Sequence, residues 1–200
     1  MIPDLQAAKL CQAIYAPSSG EFDHILEVAG VLGGIKYIGG DTVVAMRGSI
    51  TAQDWLRDLK FWPEHDAQLG FIVDGFSDGI AAFIAALKPL ITGNLVLCGH
   101  SLGAARACII AALIPSVQLV LFGCPRPGFR KLRSLVLSSG TKVSSFKNRR
   151  DPVCGMPYLL GLLGLYVHIV EPTLILSRTV PDDIIDDHEI ALYVEALKIS

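Results

Sequence analysis

The sequence predicts one α/β domain over residues 1–200, with a mostly parallel central sheet and helices on both faces. A short apolar run at 95–98 has the length of a buried parallel strand, and further strands are predicted at 117–122 and 141–146. Segments with helical character follow the first two of them, at 102–113 and 128–137. Alternation of strands and helices through short joints is typical of parallel sheets, because each helix carries the chain back to where the next strand begins.

The N-terminal part of the chain predicts a helix and a strand pair. Apolar residues at helical spacing predict a helix over 4–16, which Pro17 ends. Segment 22–29 is a weaker candidate for either a helix or a strand. Strands are predicted at 33–38 and 42–46, on the two sides of a Gly-Gly-Asp turn.

Further helices and a strand are predicted before and after the region 95–146, in which strands and helices alternate. Apolar and polar residues alternate at helical spacing over 50–59, and an apolar segment predicts a second helix over 75–90. After the last buried strand, segment 166–176 has strand character but is broken at Pro172. The chain closes with a predicted helix over 188–199.

The composition excludes some classes of function. The chain has 17 Lys and Arg against 19 Asp and Glu, a net charge of −2, and no basic run, so nucleic acid is not an expected partner. The hydrophobic fraction of 52% suits a deep core, an apolar binding surface or a membrane-bound protein. The most apolar segment, 158–170, is interrupted by glycines and by His168, and no apolar run reaches the roughly 18 residues of a transmembrane helix.

The N-terminus and the cysteines bear on the cellular compartment. Met1-Ile-Pro-Asp4 has neither the basic start nor the apolar run of a signal peptide. The five cysteines show no paired spacing and no zinc-binding pattern. A reduced, intracellular protein without a metal site is therefore expected.

A sharp turn between a strand and a helix carries the candidate nucleophile. Gly99-His-Ser-Leu-Gly103 has the pattern Gly-x-Ser-x-Gly, in which glycines two residues from the serine remove steric collisions. The same pattern occurs in Gly75-Phe-Ser-Asp-Gly79, but a poor strand precedes it. There Asp78 would also place a carboxylate beside the developing negative charge. Ser101 is therefore the predicted nucleophile, and Ser77 is interpreted as the start of a helix over 78–87.

A serine nucleophile needs a base, and the base needs an acid that orients it. Two histidines follow Ser101 in the chain. His168 lies in an apolar run, where a packed histidine is the more common finding, whereas His188 lies where a loop meets the last helix. His188 is therefore the predicted base. Asp151 follows a predicted strand and is the candidate acid, although Asp-Pro is equally typical of a plain turn.

Two backbone N–H groups are candidates for the oxyanion hole. The first belongs to Leu102, directly after the nucleophile. The second is expected in a loop after an early strand, where Gly48 permits close approach of the backbone and Ser49 offers an N–H and a hydroxyl. Taken alone, this Arg-Gly-Ser segment is more typical of an ordinary turn.

Several motifs that occur in order along the chain resemble those of class 3 (fungal-lipase-like) lipases. They are Arg47-Gly-Ser49 followed by Asp54-Trp55 and Asp58, Gly99-His-Ser-Leu-Gly103, Phe122-Gly-Cys-Pro-Arg126, Asp151-Pro-Val153 with Pro157, Tyr166-x-His168, and Asp187-His188 with Tyr193. The resemblance implies an α/β-hydrolase fold, a triad of Ser101, Asp151 and His188, and an oxyanion hole at Ser49 and Leu102. It also implies a lid helix at 50–60.

The chain departs from the family pattern at Ala104, Cys124 and Cys154, which stand where glycine, serine and proline are usual. None of these positions belongs to the predicted triad. The chain is also short for the family, and it lacks the secretion signal and the disulfides of fungal members. These departures leave the compartment and the natural substrate open.

The predicted reaction is hydrolysis of carboxylic esters with apolar acyl chains, through an acyl-enzyme and without a metal or organic cofactor. Ile50, Trp55 and Leu56 of the lid segment would meet a lipid or small ester substrate or make transient contact with a lipid surface. Met156 and Leu159 would line an acyl pocket, or else belong to the core. A phospholipase, an acyltransferase and a non-catalytic binding protein on the same fold are the alternatives.

Overall fold

The computed structural model describes residues 1–17, 20–49 and 62–199. Nine strands lie in these residues: β1 (His24–Val28), β2 (Val31–Ile38), β3 (Asp41–Met46), β4 (Pro63–Asp66), β5 (Gly70–Val73), β6 (Leu95–His100), β7 (Gln118–Phe122), β8 (Lys142–Asn148) and β9 (Thr173–Ile175). The α-helices of this part of the chain are α1 (Asp4–Ala13), α2 (Ile80–Leu87), α3 (Leu102–Leu113), α4 (Arg130–Ser138), α5 (Tyr158–Leu162) and α6 (Ile190–Ile199). The predicted helix over 50–59 lies outside the described residues.

Seven of the strands form one sheet in the order β1-β2-β3-β6-β7-β8-β9. The five strands from β3 to β9 in this order are parallel, and the hairpins β1-β2 and β2-β3 extend the sheet in antiparallel fashion. Strands β4 and β5 form a separate hairpin. The prediction of a mostly parallel sheet is confirmed, and β6, which leads to the predicted nucleophile, lies at its centre.

Alternate residues of the central strands belong to two hydrophobic clusters, one on each face of the sheet. Val44, Leu97 and Leu119 point to the face covered by α2, α3 and α4. Their neighbours Val96 and Val120 point to the opposite face, where α1 and α6 pack. Successive strand residues point to opposite faces, so a strand buried on both sides is apolar throughout. This pattern explains the continuous apolar segments of the sequence.

The structure decides one prediction that was left open and shifts the start of another. Segment 22–29 forms strand β1, which pairs with β2 from His24 onwards. The helix predicted over 75–90 begins only at Ile80, because Gly79 has φ of 74° and cannot continue as a right-handed helix. A Cβ at Gly79 would lie 2.3 Å from the carbonyl oxygen of Ala29, so the turn also needs glycine for space.

The C-terminal third also departs from its prediction. Only Thr173–Ile175 of segment 166–176 joins the sheet, after Pro172. The first part of that segment packs elsewhere: Val167 pairs with Gly128, and the Tyr166 hydroxyl donates to the Ile72 carbonyl. The last α-helix begins at Ile190, and His188 lies in a short 3₁₀ turn before it. Within the described residues, no helix is long and apolar enough to cross a membrane.

Candidate active site

The turn between β6 and α3 holds Ser101 in a strained backbone conformation. Ser101 has φ of 60° and ψ of −130°, in a region that side chains with a Cβ rarely adopt. Its N–H donates to the Phe122 carbonyl at the end of β7, 3.0 Å away, and its carbonyl accepts the Ala104 N–H. These bonds fix the serine at the carboxyl edge of the sheet, as the Gly-x-Ser-x-Gly pattern predicts.

The two glycines of the pattern are needed for space. A Cβ at Gly99 would lie 2.4 Å from the carbonyl oxygen of Gly103, and one at Gly103 would lie 2.3 Å from that of Met46. Neither distance can be accommodated by a side-chain movement, since both partners are backbone atoms. With any other residues at positions 99 and 103, helix α3 could not lie this close to the ends of β6 and β3.

The loop after β3 lies against the nucleophile. A Cβ at Gly48 would lie 3.0 Å from Cβ of Ser101 and 2.7 Å from the carbonyl oxygen of His100. Ser49, the next residue, is half-buried and follows directly on this contact. Leu102 is the first residue of α3, and the N–H groups of a first helical turn have no partner within their helix. Leu102 thus adjoins Ser101 in the chain, Gly48 packs against it, and the oxyanion role of Leu102 and Ser49 stays a prediction.

Asp151 and His188 form a buried, hydrogen-bonded pair. The Nδ1 atom of His188 lies 2.8 Å from Oδ2 of Asp151. The side chains are 2% and 0% exposed, so water does not screen the interaction. Asp151 follows β8 and His188 precedes α6, and thirty-six residues separate them in the sequence. His168 is also buried but does not take part in this pair.

Asp151 is held by three further donors. Its Oδ1 accepts the Val153 N–H at 2.8 Å, and its Oδ2 accepts the Tyr193 hydroxyl and, at 3.7 Å, the Cys154 thiol. Burial acts to raise the pKa of Asp151, but His188 and the hydrogen bonds outweigh it and bring the pKa below its ordinary value. The carboxylate therefore stays ionised at neutral pH despite its burial.

The other imidazole nitrogen of His188 is buried and has no hydrogen-bond partner in the part of the chain that the structure describes. Among the described residues, no donor or acceptor reaches the buried Nε2 atom, so the Ser101 hydroxyl is not hydrogen-bonded to it in this conformation. A buried ring nitrogen without a partner is rare in a folded protein, and such atoms often mark functional sites. Hydrogen bonds between nucleophile and base are commonly loose before substrate binds. The His188 ring packs 4.5 Å from the ring of His100, which precedes Ser101.

Gly123 provides the space for the pair. A Cβ at this position would lie 2.7 Å from Cε1 of His188 and 3.0 Å from Oδ2 of Asp151. Gly123 also has φ of 56°, which favours glycine independently. The residue follows β7, so three neighbouring strands of the sheet, β6, β7 and β8, each contribute a residue to one cluster.

His100 has polar partners on both ring nitrogens. Nε2 lies 2.7 Å from the carbonyl oxygen of His188, and Nδ1 lies 2.8 Å from the hydroxyl of Tyr15. Burial, together with the nearby His188, lowers the pKa of His100 to about 3. The residue is therefore neutral at the pH values at which a histidine base can work.

The residues predicted to contact the substrate fall into two groups. Ile50, Trp55 and Leu56 lie outside the described residues. Met156 is half-buried after the acid, and Leu159 on α5 is 71% exposed. Leu162 and other apolar side chains around α5 are exposed as well, so most of this segment does not belong to the core.

Sequence analysis did not assign Tyr15, His100, Gly123 or Tyr193 a place in the site. Gly123 and Tyr193 occur in the motifs that resemble class 3 lipases, and His100 lies inside the Gly-x-Ser-x-Gly pattern. Tyr15 carries no local signal. Within the described residues, no group of three or more His, Cys, Asp or Glu could hold a metal ion.

The relatives of known sequence include a lipase and a phospholipase. The chain is 31% identical over 163 residues to secreted mono- and diacylglycerol lipase A of Penicillium camembertii, covering 72% of this chain and 51% of that protein. It is 29% identical over 153 residues to phospholipase A(1) DAD1, chloroplastic, of Arabidopsis thaliana, covering 58% of this chain and 34% of that protein. The chain thus spans about half the length of the first of these relatives, and less of the second.

Solved lipase structures share the fold. The lipase from Rhizopus microsporus var. chinensis superposes with a TM-score of 0.71 and 17% identity, over 89% of this chain and 74% of that chain. The native Rhizomucor miehei lipase propeptide complex gives a TM-score of 0.68 and 20% identity, over 86% of this chain and 67% of that chain. The sequence itself matches the family described as Lipase (class 3) over residues 43–160. The chain belongs to this class 3 lipase family and has the α/β-hydrolase fold.

Proposed function

We propose that the protein hydrolyses carboxylic esters with apolar acyl chains through a serine acyl-enzyme. The observation that carries the proposal is the buried Asp151–His188 hydrogen bond, at the same sheet edge as the strained turn of Ser101. A nucleophile, a base with a free ring nitrogen and an ionised acid are the three components of this chemistry. Membership in the class 3 lipase family supports the same reaction.

The mechanism assigns one role to each side chain. Ser101 Oγ attacks the ester carbonyl carbon while His188 Nε2 takes its proton. Asp151 accepts from Nδ1, which keeps the free lone pair on Nε2, and its charge stabilises the imidazolium that forms. The imidazolium then protonates the leaving alcohol, and water, activated by the same nitrogen, releases the acid from Ser101. No step calls for a cofactor.

Two backbone donors stabilise the tetrahedral oxyanion in this proposal. The donors in this proposal are the N–H groups of Leu102, the first residue of α3, and of Ser49, which follows the Gly48 contact with Ser101; the positive end of the α3 dipole adds to them. The loss of one oxyanion donor typically raises the barrier by about 3 kcal/mol, roughly a hundredfold in rate. Because these donors are backbone groups, their placement depends on the loop after β3.

An apolar substrate is supported by the surface next to the acid. Met156, half-buried, and Leu159, exposed on α5, follow Asp151 closely and would contact the acyl chain. Leu162 is 86% exposed, and large exposed apolar side chains grouped in one segment mark contact surfaces. We therefore propose lipid esters as the substrate class, with transient contact between α5 and the lipid surface.

The segment 50–60, by family resemblance, would act as a lid on a single domain over 1–200, with Ile50, Trp55 and Leu56 on its apolar side. Such a lid predicts that Trp55→Ala changes hydrolysis of an emulsified ester and of a soluble short ester by different factors. An identical response of the two substrates would contradict gating.

The direct test is a panel of p-nitrophenyl esters of graded acyl length, with labelling by a fluorophosphonate probe. The wild type should cleave some member and be labelled, whereas Ser101→Ala should lose about three or more decades of rate and all labelling. Ser77→Ala is the matched control, since Ser77 occupies the second Gly-x-Ser-x-Gly match. Full activity in Ser101→Ala, or loss of activity in Ser77→Ala alone, would contradict the proposal.

A phospholipase A1 activity is the second candidate, because one of the relatives bears that name. Both activities use the same triad, so mutation of Ser101 cannot separate them. Product analysis separates them: phospholipid, diacylglycerol and triacylglycerol are supplied in turn, and the released fatty acid and remaining head group are identified. An added alcohol acceptor tests acyl transfer in the same assay.

A further inference from the structure

We infer that Tyr15 and His100 are positioning residues. They fix the position of the oxyanion loop (residues 47–49) relative to the catalytic histidine, His188. The inference rests on the proposed function, because it assigns a task within the same reaction. It starts from a continuous line of polar contacts that joins the loop after β3 to the backbone of His188.

The contacts of His100 determine which of its nitrogens carries the proton. The carbonyl oxygen of His188 can only accept, so the Nε2 atom 2.7 Å away must donate. A neutral imidazole has one donor, which leaves Nδ1 as an acceptor. The Tyr15 hydroxyl, 2.8 Å from Nδ1, is therefore the donor in that contact. The ring of His100 is thus fixed in one tautomer and in one orientation.

The oxygen of Tyr15 has a second partner in the oxyanion loop. A hydrogen bond from the Gly48 backbone to this oxygen acts against the burial that otherwise raises the pKa of Tyr15. The contact is close, since a Cβ at Gly48 would lie only 2.5 Å from the hydroxyl oxygen. The Tyr15 oxygen therefore contacts the oxyanion loop while its hydroxyl donates to His100.

The line of contacts therefore runs from Gly48 through Tyr15 and His100 to the His188 carbonyl. Its two ends are the loop that carries the Ser49 donor and the residue that carries the base. Tyr15 comes from the turn after α1, on the face of the sheet where α1 and α6 pack together. An N-terminal element thus contributes a side chain that links the two parts of the site.

Packing alone does not account for this arrangement. An aromatic ring of the same shape, without the hydroxyl, would fill the site of Tyr15 equally well. What phenylalanine would lose is the donor to Nδ1 and the acceptor for Gly48. If the role is positioning, the loss appears in the chemical step, where the oxyanion donor and the base must act at the same moment.

The test compares Tyr15→Phe with the wild type, using a soluble short-chain ester and the rate of fluorophosphonate labelling. We expect kcat and the labelling rate to fall about tenfold with KM within twofold, because a bond used only for placement acts on the transition state. Tyr166→Phe is the control: Tyr166 is also buried and donates to a carbonyl, but on the opposite side of the sheet. Its kinetic constants should stay within twofold.

Conservative replacements of His100 separate the two contacts. Asn can present an acceptor near the position of Nδ1, and Gln a donor near that of Nε2, whereas Leu keeps neither. We expect His100→Leu to be less active than either amide variant. Equal loss in all three would assign His100 a packing role only.

The outcomes distinguish the inference from the proposed function. A wild type that neither cleaves esters nor reacts with the probe overturns both. An active wild type with Tyr15→Phe inside the twofold range of the control, or changed in KM alone, overturns the inference and leaves the proposed function standing.

A measurement on the folded wild type completes the test. ¹⁵N NMR of histidine should show His100 neutral and protonated at Nε2 from pH 5 to 9. Protonation at Nδ1 would overturn the inference even if a variant does not fold.

Discussion

The Nδ1 atom of His188 lies 2.8 Å from Oδ2 of Asp151, and neither side chain is exposed to more than a trace of solvent. A short, buried bond of this kind holds the imidazole in a single tautomer and directs Nε2 away from the carboxylate. Every prediction about the reaction depends on this contact, because it decides which nitrogen can take a proton from Ser101.

Asp151→Asn should lower kcat by about 10⁴ while leaving the fold intact, since an amide at this position favours the wrong imidazole tautomer. The measurement is steady-state hydrolysis of a soluble ester, with circular dichroism as a check on folding. Asp182→Asn, an exposed aspartate in the loop before His188, is the matched control and should be fully active. A folded Asp151→Asn within tenfold of the wild type would remove Asp151 from the mechanism.

Gly123→Ala should reduce activity far more than a comparable change elsewhere, because its Cβ would press on His188 and Asp151. Gly140→Ala is the control: both glycines have positive φ, but nothing lies within 4 Å of the Cβ position at Gly140. Both variants share the backbone strain, of the order of 1 kcal/mol. We expect at least about a hundredfold loss of kcat for Gly123→Ala alone. Equal activity of the two would show that the pair does not need the space.

Buried His168 should make the protein less stable as the pH falls from 7 to 5. Burial, and secondarily the charge of Arg126, lower its pKa to about 4, whereas an unfolded histidine titrates near 6.5. Below pH 6.5 the unfolded chain therefore binds a proton that the folded protein does not, and the free energy of unfolding falls until the folded group titrates.

At pH 5 this difference amounts to about 2 kcal/mol relative to pH 7. The free energy of unfolding can be measured by urea unfolding at pH 7 and at pH 5. Its decrease between the two pH values should be smaller by that amount in His168→Gln than in the wild type. In His24→Gln, which alters an exposed histidine on β1, the loss should equal that of the wild type. The same loss in all three proteins would show that His168 is not held neutral.

The double variant Leu162→Ser and Leu163→Ser should weaken action on lipid aggregates specifically. Both side chains are exposed around α5, and each would lose up to about 2 kcal/mol of transfer free energy at an apolar surface. We expect hydrolysis of an emulsified ester to fall about tenfold or more, with a soluble short ester unchanged. Leu137→Ser, an exposed leucine on α4, is the control. An unchanged emulsion rate in the double variant would exclude contact of α5 with lipid.

Much of the architecture was predictable because its signals are local. The apolar run before Ser101, the two glycines around it and the helix after it are contiguous, and backbone sterics at one turn require them together. The parallel sheet followed from strands that alternate with helices, and it is confirmed. The prediction stayed open where a neighbour outside the segment decides the conformation, as at residues 22–29, where pairing with β2 selects the strand over the helix.

The sequence by itself determined the strand-turn-helix around Ser101 and the candidates for base and acid. The sequence already favoured His188 over His168. Only the tertiary structure shows that His188 meets Asp151, that Tyr193 and Gly123 surround this pair, and that Tyr15 reaches His100 across 85 positions of sequence. The physical reason is that local periodicity reports which way a side chain faces, whereas a contact between distant residues depends on how whole elements pack. The exposed apolar residues of α5 belong to the same class, since an apolar segment looks alike in a core and on a surface.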